Sequence, residues 1–350
     1  MKSNHTKIIF AIFMFAVSCV LAGSPAGRIV AWGFNTEGSV TGIPYPGSSI
    51  GFVRVDGQLL TNVVMIAAGR MRSYAVQSDG KVVTWGFKGP PVPPDLTNPS
   101  AISVGEFHDL ALREDGTVVA WGGLGGAEVP VGLSNVIAIS AGLGQSLAIR
   151  QDGTLVNWGE SMELPNGLTN LVAVTVCGSP AGEDFVLKRD GTVAGWCCQG
   201  RGDTPAAPPP GLSNIVAIAA GNAHCLALRT DHTVVAWGDR NNGVNNPQFG
   251  QTDVPAGLTN VVAISACGNT SMALKGDGRI VVWGDNTHHQ VDLAVGLSNI
   301  AAIAAGGDYC MAIQTNGTVT ESNIFLLPEG VHNPNIEKLV KEMYPQYVPK

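Results

Sequence analysis

The chain has 350 residues, 45% of them hydrophobic and only 13% charged, with 45 glycines and a net charge of −7. That balance excludes a disordered chain. With no block of lysine and arginine it also lacks the electrostatic footprint of a nucleic-acid binder, so no nucleic-acid partner is expected.

The first element is a predicted export signal. Lys2 and Lys7 make a short positive region, and residues 8–22 are apolar almost without interruption, short of the roughly 20 residues of a membrane span. No membrane span is therefore expected. Cleavage after Ala22, with Val20 and Ala22 at the −3 and −1 positions, divides a signal peptide (1–22) from the mature chain; cleavage after Ala26 is a second option, and lipidation of Cys19 a third fate. The expected location is secreted, periplasmic or cell-surface.

From residue 23 to 321 the chain repeats itself, and internal repetition outranks other fold signals. The seven tryptophans, at positions 32, 85, 121, 158, 196, 237 and 283, each close a unit of three parts. The first part is a small-residue apolar run ending in glycine, such as "IVAIAAG" (215–221). The second is a short strand such as "CLAL" (225–228), and the third is the phrase "TVVAWG" (233–238). Runs of four to seven Val, Ile and Ala residues bounded by glycine fit buried strands. Between the second and third parts stand Asp79-Gly80, Asp115-Gly116, Asp152-Gly153, Asp190-Gly191 and Asp277-Gly278, with Asp231-His232 and Asn316-Gly317 as variants. These predict hairpins with type I′ turns, in which both central residues have positive φ. Proline-glycine segments such as "VPAGLTN" (254–260) lead to the next unit.

Seven three-strand units, each unable to bury two apolar faces alone, predict an all-β fold: a seven-bladed β-propeller with short three- to four-stranded blades. The chain opens on an isolated third part, "GRIVAWG" (27–33), and its last complete first and second parts span 300–313. Residues 29–32 are therefore predicted to complete the last blade, with "TVT" (318–320) as the competing strand. The pattern "AIAAG…HCLAL…D-x-TVVAWG" resembles the regulator of chromosome condensation repeat family over residues 28–317. Units such as "WGD…GQTDVPAGL" (237–258) are similar to its short bacterial version, found in a secreted seven-bladed β-lactamase-inhibitor protein. The resemblance implies a propeller; the family's functions range from nucleotide exchange to inhibition.

Beyond the repeat, residues 322–350 form a C-terminal extension. In it "NPNIEKLVKEMYP" predicts a short helical tail, with Asn333 as N-cap, Pro334 at the first helical position and Pro345 ending it.

The candidate site lies where the repeat is interrupted, since loops on a rigid scaffold carry function. The loops joining first to second parts emerge on one face of the predicted ring. Their distinctive members are Arg70, Arg72, Glu106, Phe107, His108, Asp184, Asn222, His224, Asp308 and Tyr309, the candidate binding residues. His108 and His224 stand three residues after the glycine in two units, which also suits loop anchoring by hydrogen bonds. Cys177, Cys267, Cys225 and Cys310 replace small residues in register and read as buried thiols. Cys197 and Cys198 are open to oxidation in an exported chain. Arg201, Gly202 and Asp203 form an adhesion-type tripeptide, and His288 and His289 lack a spaced metal-ligand partner. No CxxC pair, G-x-S-x-G elbow or P-loop occurs, so no catalytic residue, metal or cofactor is expected. The expected function is an exported, non-enzymatic, monomeric propeller that binds a protein or polysaccharide through one face. The alternatives are a polysaccharide hydrolase or lyase with its site at the central mouth, and a nucleotide-exchange-type regulator.

Overall fold

The three parts of each repeat become three antiparallel strands. The computed structural model describes residues 26–35, 37–42, 47–87, 91–123, 126–160, 164–176, 183–197, 207–238 and 249–315. The export segment with Cys19, the residues Cys177, Cys198, Arg201, Gly202 and Asp203, the strand expected at 318–320 and the tail lie outside them, as does the side chain of Cys197.

The chain enters through β1 (Arg28–Phe34) and β2 (Ser48–Phe52), then a small hairpin of β3 (Arg54–Val55) and β4 (Gln58–Leu59). Six three-stranded sheets follow in order. They are β5 (Val63–Ala68), β6 (Arg72–Gln77) and β7 (Val82–Gly86); β8 (Pro99–Val104), β9 (His108–Arg113) and β10 (Val118–Gly122); and β11 (Val136–Ala141), β12 (Gln145–Arg150) and β13 (Leu155–Gly159). Next come β14 (Leu171–Thr175), β15 (Glu183–Lys188) and β16 (Val193–Cys197); β17 (Ile215–Ala220), β18 (His224–Arg229) and β19 (Val234–Gly238); and β20 (Val261–Cys267), β21 (Thr270–Lys275) and β22 (Ile280–Gly284). The seventh sheet has the order β2-β1-β24-β23, where β23 is Ile300–Ala305 and β24 is Tyr309–Gln314. We number the blades 1 to 7 in this order.

The first parts, β5, β8, β11, β14, β17, β20 and β23, pack side by side as the innermost strands, and β23 packs back on β5. The fold is a seven-bladed β-propeller. Its apolar core is divided into seven clusters, one at each junction between blades: Val174 and Leu147 meet at one, Ile264 and Leu226 at another. Burial falls outward. The middle strands are buried for five of six residues, whereas in β10 only Trp121 is fully buried. The phrase "TVVAW" thus reaches the inter-blade space mainly through its tryptophan.

The last blade is completed by the N-terminal strand. β1 pairs with β24 in the register Ile29↔Ile313, Ala31↔Met311 and Trp32↔Cys310. Gly27 and Val63 exchange backbone hydrogen bonds of 2.9 and 3.0 Å, tying the start of this strand to blade 1.

The hairpins differ from the expected type I′. The loop after β9 spans three residues: Gly116 N–H donates to Arg113 C=O at 3.0 Å, and Arg113 N–H to Thr117 C=O at 2.9 Å. Only Gly116 takes positive φ (78°), so the loop has the form of a turn of ordinary φ followed by a glycine bulge. Asp115 serves the turn with its side chain, accepting the Thr117 N–H at 2.9 Å and hydroxyl at 2.7 Å. These bonds hold its carboxyl below the usual range. The loops at Asp152, Asp190 and Asp231 repeat the arrangement. His232 occupies the glycine position with φ of 65°, and its Nδ1 lies 3.0 Å from Val261 C=O.

Candidate functional site

In six blades the inner strand runs into a glycine, Gly69, Gly105, Gly142, Gly221, Gly268 or Gly306, and this lets the strand ends and the loops after them come close around the axis. They enclose a central mouth of about 250 Å³ to which all seven blades contribute, from Arg70 and Glu106 through Gly142, Val176 and Asn222 to Cys267 and Asp308. Neighbouring loops are tied by their backbones: Glu106 N–H donates to Gly142 C=O at 3.1 Å, Asn222 N–H to Gly268 C=O at 2.8 Å and Gly307 N–H to Gly69 C=O at 3.2 Å. Arg70 pairs with Glu106 at 3.2 Å across blades 1 and 2, with the arginine two-thirds exposed. Cys267 is half-buried at the mouth, and its desolvation pushes the thiol up to about 12, so it is no thiolate at neutral pH.

The ten candidate residues divide by burial. Arg70, Phe107 and Asp308 are exposed, and Glu106 and Asn222 are half-buried at the mouth. Arg72, His108, Asp184, His224 and Tyr309 are buried between blades and present no surface to a partner. Arg72 clasps the Asp109 carboxylate, with Nε at 3.0 Å and Nη2 at 2.8 Å, and donates also to Glu106 C=O and Gly105 C=O. Burial opposes its charge, but the hydrogen bonds and charge of Asp109 outweigh it and hold the guanidinium above its usual range. Tyr74 adds a hydroxyl bond to the same carboxylate at 2.7 Å.

His108 Nε2 lies 2.7 Å from Ser146 Oγ, and His224 Nε2 lies 2.9 Å from Ser271 Oγ. Desolvation depresses both imidazoles to about 4, for His108 with help from the Arg72 charge, so both are neutral at pH 7. The expectation of loop anchoring fits this geometry. Close approach is needed too: a Cβ on Gly221 would stand 2.3 Å from His224 Cε1. His288 packs on the Phe34 ring, with centroids 4.5 Å apart, and His289 Nδ1 is 3.3 Å from Asp292. Among the described residues no three His, Cys, Asp or Glu side chains stand close enough to hold a metal.

The family model of the regulator of chromosome condensation (RCC1) repeat matches residues 215–244 and 261–290, the third parts of blades 5 and 6 among them. The chain carries RCC1-type repeats. Comparison with curated proteins finds no match. Among solved structures the RCC1-type ring is similar to yeast RCC1 (Prp20) in its complex with Kap60, at 17% identity and a TM-score of 0.59 over 98% of this chain and 97% of that one. It is similar to a crystal structure of Prp20p from Saccharomyces cerevisiae, at 16% identity and a TM-score of 0.60 over 95% of this chain and 97% of that one. Human WBSCR16 follows at 16% identity and 0.55, over 83% of this chain and 100% of the other. At such identities the likeness is one of fold.

In this RCC1-type ring the buried candidates form a system that linear reading missed. At five junctions between blades the first residue of one middle strand reaches the second residue of the next blade's middle strand. Tyr309 thus meets Ser73 at 2.7 Å, Arg72 meets Asp109, His108 meets Ser146, Gln145 meets Asp184 at 2.8 Å and His224 meets Ser271. A second set lies nearer the axis, where Ser103, Ser140, Thr175 and Ser265 each accept an inner-strand N–H from the following blade at 2.9–3.1 Å. Farther out, Trp85, Trp158 and Trp283 donate their indole N–H to carbonyls of the inter-blade segments at 2.9–3.0 Å. The signal was present in the sequence as a long polar residue at one position and a small or acidic one beside it, in register from unit to unit.

Proposed function

We propose that this protein is an exported binding propeller that captures a protein partner on the face where the central mouth opens. The observation that carries the reading is the division of the loop residues. One set is locked into inter-blade clamps and holds the loops rigid, while Arg70, Met71, Phe107 and Asp308 stand exposed on the framework so made. Rigid presentation lowers the ordering cost of association. Yeast RCC1, of similar fold, was solved bound to a protein, Kap60. Export rests on residues 1–22 of the sequence.

Polysaccharide hydrolysis is the second reading, because two carboxylates, Glu106 and Asp308, both line the mouth. The ion pair of Glu106 with Arg70 favours binding over acid catalysis. The test is affinity capture from the native surroundings with three proteins: wild type, a variant carrying Arg70→Ala, Met71→Ala and Phe107→Ala, and a control carrying Val131→Ser and Val295→Ser at the opposite end. Capture of one partner, lost in the first variant and kept in the second, is expected. The reverse pattern, or turnover of a glycan panel that disappears in Glu106→Gln, overturns the reading.

A further inference from the structure

The face around the mouth is uneven in two respects, which meet where blades 7, 1 and 2 adjoin. The first is apolar. Five large hydrophobic side chains are exposed among the described residues, and three of them, Met71 (39%), Phe87 (48%) and Phe107 (45%), belong to blades 1 and 2 at the mouth end. Phe87 N–H donates to Met71 C=O at 2.9 Å, which sets these two side by side. Phe107 adjoins Glu106, the ion-pair partner of Arg70, so all three surround one bridge. The other two, Val131 and Val295, stand singly at the start of inner-strand approaches at the far end.

The second is charge. Arg28 at the start of β1, Arg113, Arg150, Lys188, Arg229 and Lys275 at the ends of middle strands, and Lys81, Arg189 and Arg279 in the hairpins all lie away from the mouth. Arg54, directly after Val53, whose N–H bonds Ile29 C=O, lies at that same end. Of the described basic residues this leaves Arg70 and Arg72 at the mouth. Arg72 is spent on Asp109 and Arg70 on Glu106. Asp308 is exposed at the mouth between blades 7 and 1, beside Gly307, on which a Cβ would stand 3.0 Å from Arg70 Cγ. Its carboxylate has no ion-pair partner among the described residues, and Glu160 adds another exposed carboxylate on this face.

We infer that the partner docks on the arc formed by blades 7, 1 and 2 and delivers a lysine or arginine side chain to Asp308, with apolar neighbours seated on Met71, Phe87 and Phe107. The inference rests on the reading of a protein partner. Aromatic residues, methionine and arginine are the types enriched at such contacts, and an acidic mouth facing a basic group supplies register and on-rate.

A displayed library of random constrained peptides, selected on the full wild-type protein, tests it. Enriched peptides are expected to carry a basic residue flanked by apolar ones. They should bind Asp308→Asn and Phe107→Ala at least about tenfold more weakly and lose affinity as salt rises. Thermal transitions of both variants at the wild-type temperature establish that these losses are local. Peptides without a basic residue, or indifferent to Asp308→Asn, overturn the inference. Binders sensitive to Glu160→Gln alone move the site to another sector and leave the mouth face standing, whereas binders lost only in the Val131→Ser, Val295→Ser variant sink both readings.

Discussion

At the scale of single residues the ring is held by polar side chains that each serve two blades. His108 and His224 are the clearest, because each is buried, neutral and joined through Nε2 to a serine of the next blade. A buried imidazole held at about 4 binds fewer protons than the same group in the unfolded chain at about 6.5. Between those values acid favours the unfolded state. Stability should be level above about pH 6.5 and fall as pH drops toward 4, by on the order of 3 kcal/mol for each histidine. Urea unfolding across that range checks it, and His108→Gln with His224→Gln should flatten the slope. The histidines were legible in the sequence as repeat positions. Their serines were not, because each partner lies in the next unit, where only the closed ring brings it near.

At the scale of the element, hairpin position was plain from Asp-Gly while hairpin geometry was not. The dipeptide fits both a two-residue type I′ loop and a three-residue loop with a glycine bulge, and the choice depends on which strand residues pair. Val118↔Leu112 pairing, extended by the Arg113–Thr117 hydrogen bond, leaves three residues in the loop, so the aspartate keeps an ordinary φ and the glycine alone turns left. Gly153 has a further duty, for its carbonyl accepts Leu171 N–H from the next blade at 3.2 Å. A Cβ there would stand 2.9 Å from Asn170 Cα with φ at 79°. Gly153→Ala should therefore cost about 1–2 kcal/mol, read as a shift of the denaturation midpoint with its slope unchanged. The asparagines before the inner strands, Asn62, Asn98, Asn135, Asn170, Asn214, Asn260 and Asn299, all adopt positive φ. Each stands in an "SN" or "TN" of the sequence, yet the conformation is visible only once the strand start is fixed.

At the scale of the whole molecule, seven tryptophan-closed units were enough to give the number of blades, since each unit is one sheet and a ring has no other way to cover both faces of each. The candidate site was half legible. Loop position is a property of the repeat, but exposure is set by whether a neighbouring blade offers a polar partner, as Asp109 does for Arg72 and no described side chain does for Asp308. Removing residues 23–33 from the chain deletes nearly all of β1, the strand of blade 7 that lies between β24 and β2, including the buried Ile29 and Trp32. The expected result is loss of the single cooperative thermal transition, followed by calorimetry; an unchanged transition would show that another strand closes the ring. The pairing of β1 with β24 also bears on how the ring assembles. β1 and β2 precede the six other blades in the chain and β24 follows them, so all six can assemble while the edge of β1 that faces β24 stays open. The joining of that edge to β24 is what turns an open arc with two uncovered ends into a ring.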